Sequence, residues 1–256
     1  MSYLKAENMV LRFGGLTAVD HLDFSVEQGQ VVSIIGPNGA GKTTIFNLLS
    51  GIYQLDEGWL TFEGRSLIGK SPQDIAKAGI ARTFQNIRLF PDMRVIENVL
   101  VGMHIRTGYR FLDSLLHNRR FREEEGEKKR LAAGLLEEVG LRERADVYAD
   151  QLPYGEQRKL EIVRALATGA KLLLLDEPAA GMNPQETEEL KSFILLLKQK
   201  GYTILLIEHD MRVVMNVSDY IYVLDYGRKI AEGRPDDILK DQRVAAAYLG
   251  ESEVEA

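Results

Sequence analysis

Gly36-Pro37-Asn38-Gly39-Ala40-Gly41-Lys42-Thr43 decides the reading of this 256-residue sequence. It follows the pattern Gly, four residues, Gly-Lys-Thr. Just before it, Val31–Ile35 is a short, mostly apolar, β-branched run, as expected for a strand covered on both faces. Behind it a helix is expected from Lys42 to about Ser50. Glycines in such a strand-to-helix turn let successive backbone N–H groups face inward around phosphate oxygens. The start of the helix directs its positive end at the same anion. In that frame Lys42 reaches the β- and γ-phosphates and Thr43 ligates Mg²⁺. The competing reading is a glycine-rich turn with no ligand.

Working outward, Leu172–Leu175 runs directly into Asp176-Glu177. Open α/β sheets place their chemistry at such carboxyl ends of strands. Asp176 suits a second Mg²⁺ contact, and Glu177 suits a general base or water-positioning group near a γ-phosphate. Solvated loop carboxylates are the alternative. A second strand, Thr203–Ile207, ends in Glu208-His209-Asp210, where His209 is either a phosphate-reaching or a structural histidine. Gln85 follows the expected strand Ile80–Phe84. Phe13 is read either as a base-stacking ring or as core.

The remainder sets the organisation. Leu22, Phe24 and Val26 alternate with polar neighbours, giving an expected strand Asp20–Gln30, and Trp59–Glu63 alternates up to Gly64. Roughly 87–168 lacks strand patterns and is rich in helix formers. Within it Arg119–Arg130 is almost wholly charged and reads as a solvated helix or loop. Glu156–Thr168 reads as a helix with Leu160, Val163 and Ala167 on one face. A helix near Gln185–Lys200 joins the two apolar strands, which implies that they are parallel. Tyr220–Leu224 and Lys229–Ala231 flank a turn at Gly227. Short helices are expected at Arg234–Lys240 and Arg243–Leu249, and a frayed tail from Glu251. No internal repeat is visible. The absence of cysteine excludes thiolate catalysis, Cys-ligated metals and disulfides. A net charge of −6 argues against a general nucleic-acid coat. No apolar run approaches the roughly 20 residues of a membrane span, and no export signal is apparent at Met1–Arg12.

Taken in order, these residues resemble the ATP-binding subunit of an ABC transporter. Phe13 matches the adenine-stacking aromatic, Gly36–Thr43 with Thr44 the Walker A loop, and Gln85 the Q-loop. Leu152-Pro153-Tyr154-Gly155-Glu156 stands at the signature position. Leu172–Asp176 matches Walker B with Glu177 after it, Ala180–Asn183 the D-loop and His209 the switch histidine. Arg82–Phe90, Glu177–Pro184, Ile207–Met211 and the ending Ala247–Gly250 are most similar to the ATPases of branched-chain amino-acid importers. The insertion around His104–Glu125 resembles that of the longer of that importer's two ATPases. Urea-importer and lipopolysaccharide-export ATPases look alike over much of this length. A soluble ABC protein acting on ribosome or DNA fits less well, with one phosphate loop and no sustained heptads. A P-loop GTPase would carry Asn-Lys-x-Asp, which is absent.

The resemblance implies an α/β fold: a P-loop core with a mixed sheet and an antiparallel β subdomain. A helical subdomain, about 87–168, is inserted after the Q-loop within a domain spanning 4–249, with 250–256 as tail. It implies binding of ATP with Mg²⁺ by Phe13, Gly36, Pro37, Asn38, Gly39, Ala40, Gly41, Lys42, Thr43 and Thr44. It implies metal contacts by Thr43, Gln85 and Asp176, and catalysis by Glu177, His209, Lys42 and Gln85. A second ATP-binding subunit, a different chain, would face this one so that each signature meets the other's ATP. Two membrane permease subunits, and indirectly an extracytoplasmic binding protein, complete the expected assembly at the cytoplasmic face of the membrane. A permease helix is expected near Arg88, Leu89 and Phe90. The basic residues Arg106, Arg110, Arg119, Arg120 and Arg122 are a candidate contact for anionic headgroups. Two departures stand out. The usual signature Ser is Pro153, which has neither hydroxyl nor N–H, and the D-loop Asp is Asn183. The ATP site using this chain's signature is therefore expected to hydrolyse slowly, and the site using its Walker A, Glu177 and His209 to be hydrolytic.

Overall fold

Val31–Ile35, Leu172–Asp176 and Thr203–Ile207 are strands in which every residue is buried. Their side chains divide by alternation. Val32, Ile34, Leu172, Leu174, Leu205 and Ile207 enter one apolar cluster, while Leu173, Leu175, Ile204 and Leu206 enter another on the opposite face. A strand wrapped on both faces needs apolar residues at odd and even positions alike, which is why these runs do not alternate.

The computed structural model describes residues 2–104 and 119–252. In chain order the first half holds β1 (Leu4–Phe13), β2 (Leu16–Val26), β3 (Val31–Ile35), α1 (Lys42–Leu49), β4 (Glu57–Phe62), β5 (Arg65–Ser66), α2 (Pro72–Ala78) and β6 (Ile80–Arg82). Three longer helices follow: α3 (Val95–Met103), α4 (Arg119–Glu138) and α5 (Tyr154–Ala167). Then come β7 (Leu172–Asp176), α6 (Pro184–Gln199), β8 (Thr203–Ile207), α7 (Met211–Val217), β9 (Tyr220–Asp225), β10 (Arg228–Gly233), α8 (Pro235–Ile238) and α9 (Gln242–Ser252).

Two sheets result. One is antiparallel, in the order β2-β1-β4-β5. The other is mixed, in the order β10-β9-β3-β8-β7-β6, with β9–β10 antiparallel and the remaining pairs parallel. Ile45, Phe46, Leu48 and Leu49 of α1 join Leu4, Phe24 and Phe62 of the first sheet and Val32 and Leu174 of the second in one core. The helix behind the phosphate loop is thus wedged between the sheets. The second core holds Val99 of α3, Leu136 of α4, Leu160 and Val163 of α5, and Ile194 of α6.

Several boundaries differ from the sequence expectation. β2 is Leu16–Val26 rather than Asp20–Gln30, because pairing with β1 begins at Phe13 and Leu16, and Gln30 N closes a turn onto Glu27 O at 3.3 Å. β6 stops at Arg82, the last residue paired with β7. The charged run Arg119–Arg130 is helical within α4, and α9 extends through Ser252 into the segment expected to be frayed. β1 and α2 were not anticipated. Arg106 and Arg110, and the side chains of Arg119, Arg120 and Arg122, lie outside the described residues.

Candidate active site

The phosphate loop leaves β3 at Gly36 and ends at Gly41, the N-cap of α1. The glycines are required by close approach. A Cβ on Gly36 would lie 2.2 Å from Leu224 O, and one on Gly41 would lie 2.6 Å from Ala18 O. Gly41 has φ 96° and no side chain caps α1, so the first N–H groups of that helix have no side-chain acceptor within the cap. Lys42 is 8% exposed, and its Nζ donates to Gly36 O at 2.5 Å and Pro37 O at 2.9 Å. The loop is therefore held curled around its own ammonium. Asn38, Gly39 and Thr43 face solvent. Phe13, Leu16 and Asn38–Thr44 line one cavity of about 390 Å³ with Glu177 and Tyr226. Phe13 is half-exposed, with its ring edge-on to Tyr53 at 5.2 Å.

The polar strand ends converge beside this loop. Glu177 has φ 45°, and its N–H donates to Ile207 O at 2.9 Å, tying the end of β7 to that of β8. Gln85 Nε2 donates to Glu177 Oε2 at 2.7 Å, and His209 Nδ1 lies 3.7 Å from the same oxygen. Residues from three separate segments of the chain thus meet at one carboxylate. Asp176 sits one residue back, and its Oδ2 accepts from Arg82 Nη2 at 2.8 Å, with both side chains 7% exposed. Arg82 also donates to Asn47 Oδ1 at 2.7 Å, which fixes it to α1. The donor set fits a hard cation. The Thr43 hydroxyl and the Asp176 carboxylate offer oxygen donors of the kind Mg²⁺ takes, since it commonly binds through one or two carboxylates plus substrate phosphates. Gln85 is turned toward Glu177 through its nitrogen, whereas a metal contact would use its oxygen.

Residues 152–156 do not line this cavity. Pro153 caps α5, Tyr154 Oη donates to Ala180 O at 3.0 Å, and Gly155 N donates to Glu186 Oε1 at 3.3 Å. Asn183 is the N-cap of α6 in a reciprocal capping box with Glu186. Asn caps a helix as well as Asp, so that departure costs the fold nothing.

Some neighbours of the site were not found from sequence. Arg158 is fully buried in α5 and donates to Phe84 O at 2.7 Å, Gln85 O at 2.6 Å and Glu161 Oε2 at 2.8 Å. Glu161 Oε1 accepts from Arg88 N at 3.1 Å. This pair grips the main chain around Gln85 from the helix that begins at Tyr154. Glu208, fully buried, accepts from Ala179 N at 2.7 Å and His209 N at 3.2 Å. Burial pushes its carboxyl above the usual range, against the opposing pull of those amides. Arg82 and Arg158 left no sequence signal, since most of their partners are main-chain atoms or residues remote in the chain.

A P-loop whose helix is wedged between two sheets, with a carboxylate and a histidine at adjoining strand ends and a glutamine beside them, is the arrangement of an ATP-binding cassette. Residues 19–180 match the ABC transporter family, and the chain belongs to it. Members are ATPases coupled to transport. Residues 228–254 also match the branched-chain amino acid ATP-binding cassette transporter family. Over 97% of its length the chain is 47% identical to the high-affinity branched-chain amino acid transport ATP-binding protein BraF of Pseudomonas aeruginosa, covering 98% of that protein. It is 46% identical over the same share to LivG of Escherichia coli, a protein of the same description, again covering 98% of it. Among solved structures, the ADP conformation of MJ1267, an ATP-binding cassette of an ABC transporter, superposes with a TM-score of 0.85. That pair is 38% identical and covers 98% of this chain and 99% of the other. A nucleotide-free cassette gives 0.83 at the same identity, covering 97% and 99%.

Proposed function

We propose that this chain hydrolyses ATP to drive import of branched-chain amino acids through separate permease subunits. The observation that carries the chemistry is the meeting of Gln85 and His209 at the Glu177 carboxylate beside the phosphate loop. The cargo assignment rests on identity of 46–47% over nearly the whole chain to proteins of that description.

In this reading ATP enters with its base toward Phe13 and its phosphates in the loop. Lys42 exchanges the carbonyls of Gly36 and Pro37 for the β- and γ-phosphate oxygens. The amides of Gly39 to Thr44 complete the cradle. Thr43 and Asp176, with Gln85 through its amide oxygen, would hold Mg²⁺, which would supply charge neutralisation at the phosphates. Glu177 orients a water in line with the γ-phosphate and accepts its proton. His209, half-exposed beside it, bridges toward the transferring group. Lys42 and Gln85 complete the catalytic set.

Residues 152–156 meet the ATP of a second ATP-binding subunit, a different chain. Because Pro153 offers neither hydroxyl nor N–H there, the two sites are unequal, and the one built on this chain's Glu177 is the hydrolytic one. A groove of about 560 Å³ between the core and the helices is lined by Phe84, Phe90, Val101 and Arg164. It suits a permease helix, with Phe90 in its lining and Arg88 stacked on Phe84, while Leu89 packs against the second core. Among the described residues no helix is long and apolar enough to cross a membrane. Attachment to the cytoplasmic face then runs through the two permeases, and contact with an extracytoplasmic binding protein is indirect.

The test is reconstitution with the permease pair in vesicles. ATP-dependent uptake of leucine, isoleucine and valine, absent with Glu177→Gln, is expected. Urea uptake or lipopolysaccharide release in place of amino-acid uptake would overturn the cargo assignment.

A further inference from the structure

The turn between β9 and β10 carries an aromatic where its geometry favours other residues. Tyr226 and Gly227 are its two central residues, and both have positive φ, 43° and 77°. Asp225 and Arg228 pair directly across it. Two-residue hairpins of this kind favour Asn, Asp or Gly at the first position, because a larger side chain crowds its own backbone there. Nothing in the packing offsets that strain. Tyr226 is 86% exposed and makes no hydrogen bond or ring contact with any described residue. The contrasting case is Glu63-Gly64, with φ of 49° and 72°, where the strained residue has a partner: Glu63 is held by Lys171 at 2.7 Å.

The backbone beneath Tyr226 is fastened to the phosphate loop. Gly227 N donates to Ala40 O at 3.1 Å, Asp20 N donates to Gly227 O at 2.9 Å, and Arg228 Nε donates to Asp20 Oδ2 at 2.6 Å. A Cβ on Gly227 would lie 2.7 Å from Ala18 O, so the turn packs against β2 too closely for any side chain there. Tyr226 lines the same cavity as Phe13, Leu16 and the loop. A strained, exposed, rigidly mounted aromatic at the rim of a ligand cavity is the pattern of a residue retained for binding.

We infer that Tyr226 contacts the purine base, giving the nucleotide a second aromatic surface besides Phe13. The inference rests on the reading of this cavity as the ATP site. Stacking recognises the π-face of a base rather than its edge, so GTP should bind within a few-fold of ATP.

The test measures binding of MgATP and of tripolyphosphate, which lacks the nucleoside, to the full chain by calorimetry. Tyr226→Asn should weaken ATP roughly tenfold, the scale of one base–aromatic stack. It should leave tripolyphosphate unchanged and raise Tm, since Asn suits the turn. Tyr226→Phe should bind ATP like the wild type. ATP binding undiminished in Tyr226→Asn overturns the inference. So does equal weakening of ATP and tripolyphosphate, which would make the turn a mere support of the loop, and so does a fall in Tm. A wild-type chain that binds no ATP would instead overturn the reading of the cavity, and that shows before any variant is made.

Discussion

Glu177 is held at φ 45°, a backbone region that costs a non-glycine residue about 1–3 kcal/mol. Its carboxylate gains from this placement two polar neighbours that an ordinary strand end would not bring within reach. Replacing it by Gln keeps the shape and removes the proposed base. Glu177→Gln should lower kcat for ATP by about 10²–10⁴ while ATP binding persists, a split that steady-state turnover and equilibrium binding resolve. Glu208 is one strand away, and its effect is on stability. Its folded pKa is raised by burial, so the folded chain holds this proton more tightly than the unfolded chain does. The resulting stability is fully present below the ordinary carboxyl value of 4.5 and lost as pH rises through the raised value. The Tm of the wild type relative to Glu208→Gln should therefore rise as pH falls from about 8 to about 4.

At the level of elements, the Arg158–Glu161 pair joins α5 to the main chain around Gln85. Arg158→Met strands a buried carboxylate and should cost about 3–5 kcal/mol in urea unfolding, with Glu161→Gln recovering part of it in the double variant. A larger-than-ordinary loss is expected because Phe84 O and Gln85 O lose a donor as well. Elements also differ in how far sequence disclosed them. β3, β7 and β8 were legible because their burial on both faces forces apolar runs, and the glycine loop and α1 because close packing admits no side chain. β1 escaped notice since its register shifts between Ala6 and Met9, with Asn8 at φ 50°, and the shift breaks the two-residue period. α2 carries a Ser71–Asp74 capping box, yet its seven residues bury Ile75 alone and show no apolar stripe. The clamp and the Arg82–Asp176 pair were invisible for another reason. Arg158 and Glu161 stand three apart on one helix, but the main chain they grip, like the partner of Arg82, lies across the fold and leaves no local pattern.

For the molecule as a whole, the unequal-site proposal makes a prediction in a mixed pair. Glu177→Gln in this chain should abolish most turnover, while the matching change in the second subunit should spare most of it, as read by ATPase assays of the purified complex. Turnover unchanged by Glu177→Gln would reverse the assignment. The strand order holds one more consequence. β3 pairs with neither of its neighbours in the chain but lies between β8 and β9. On a ribosome the first sixty-odd residues can assemble their own antiparallel sheet, since β1, β2, β4 and β5 pair among themselves. The strand that launches the phosphate loop must wait for β8 and β9, which are made far later in the chain. At about 5–20 residues per second that delay is roughly ten to forty seconds. Capture of nucleotide by this loop therefore waits until β8 and β9 have been made, and the loop is without its flanking strands until then.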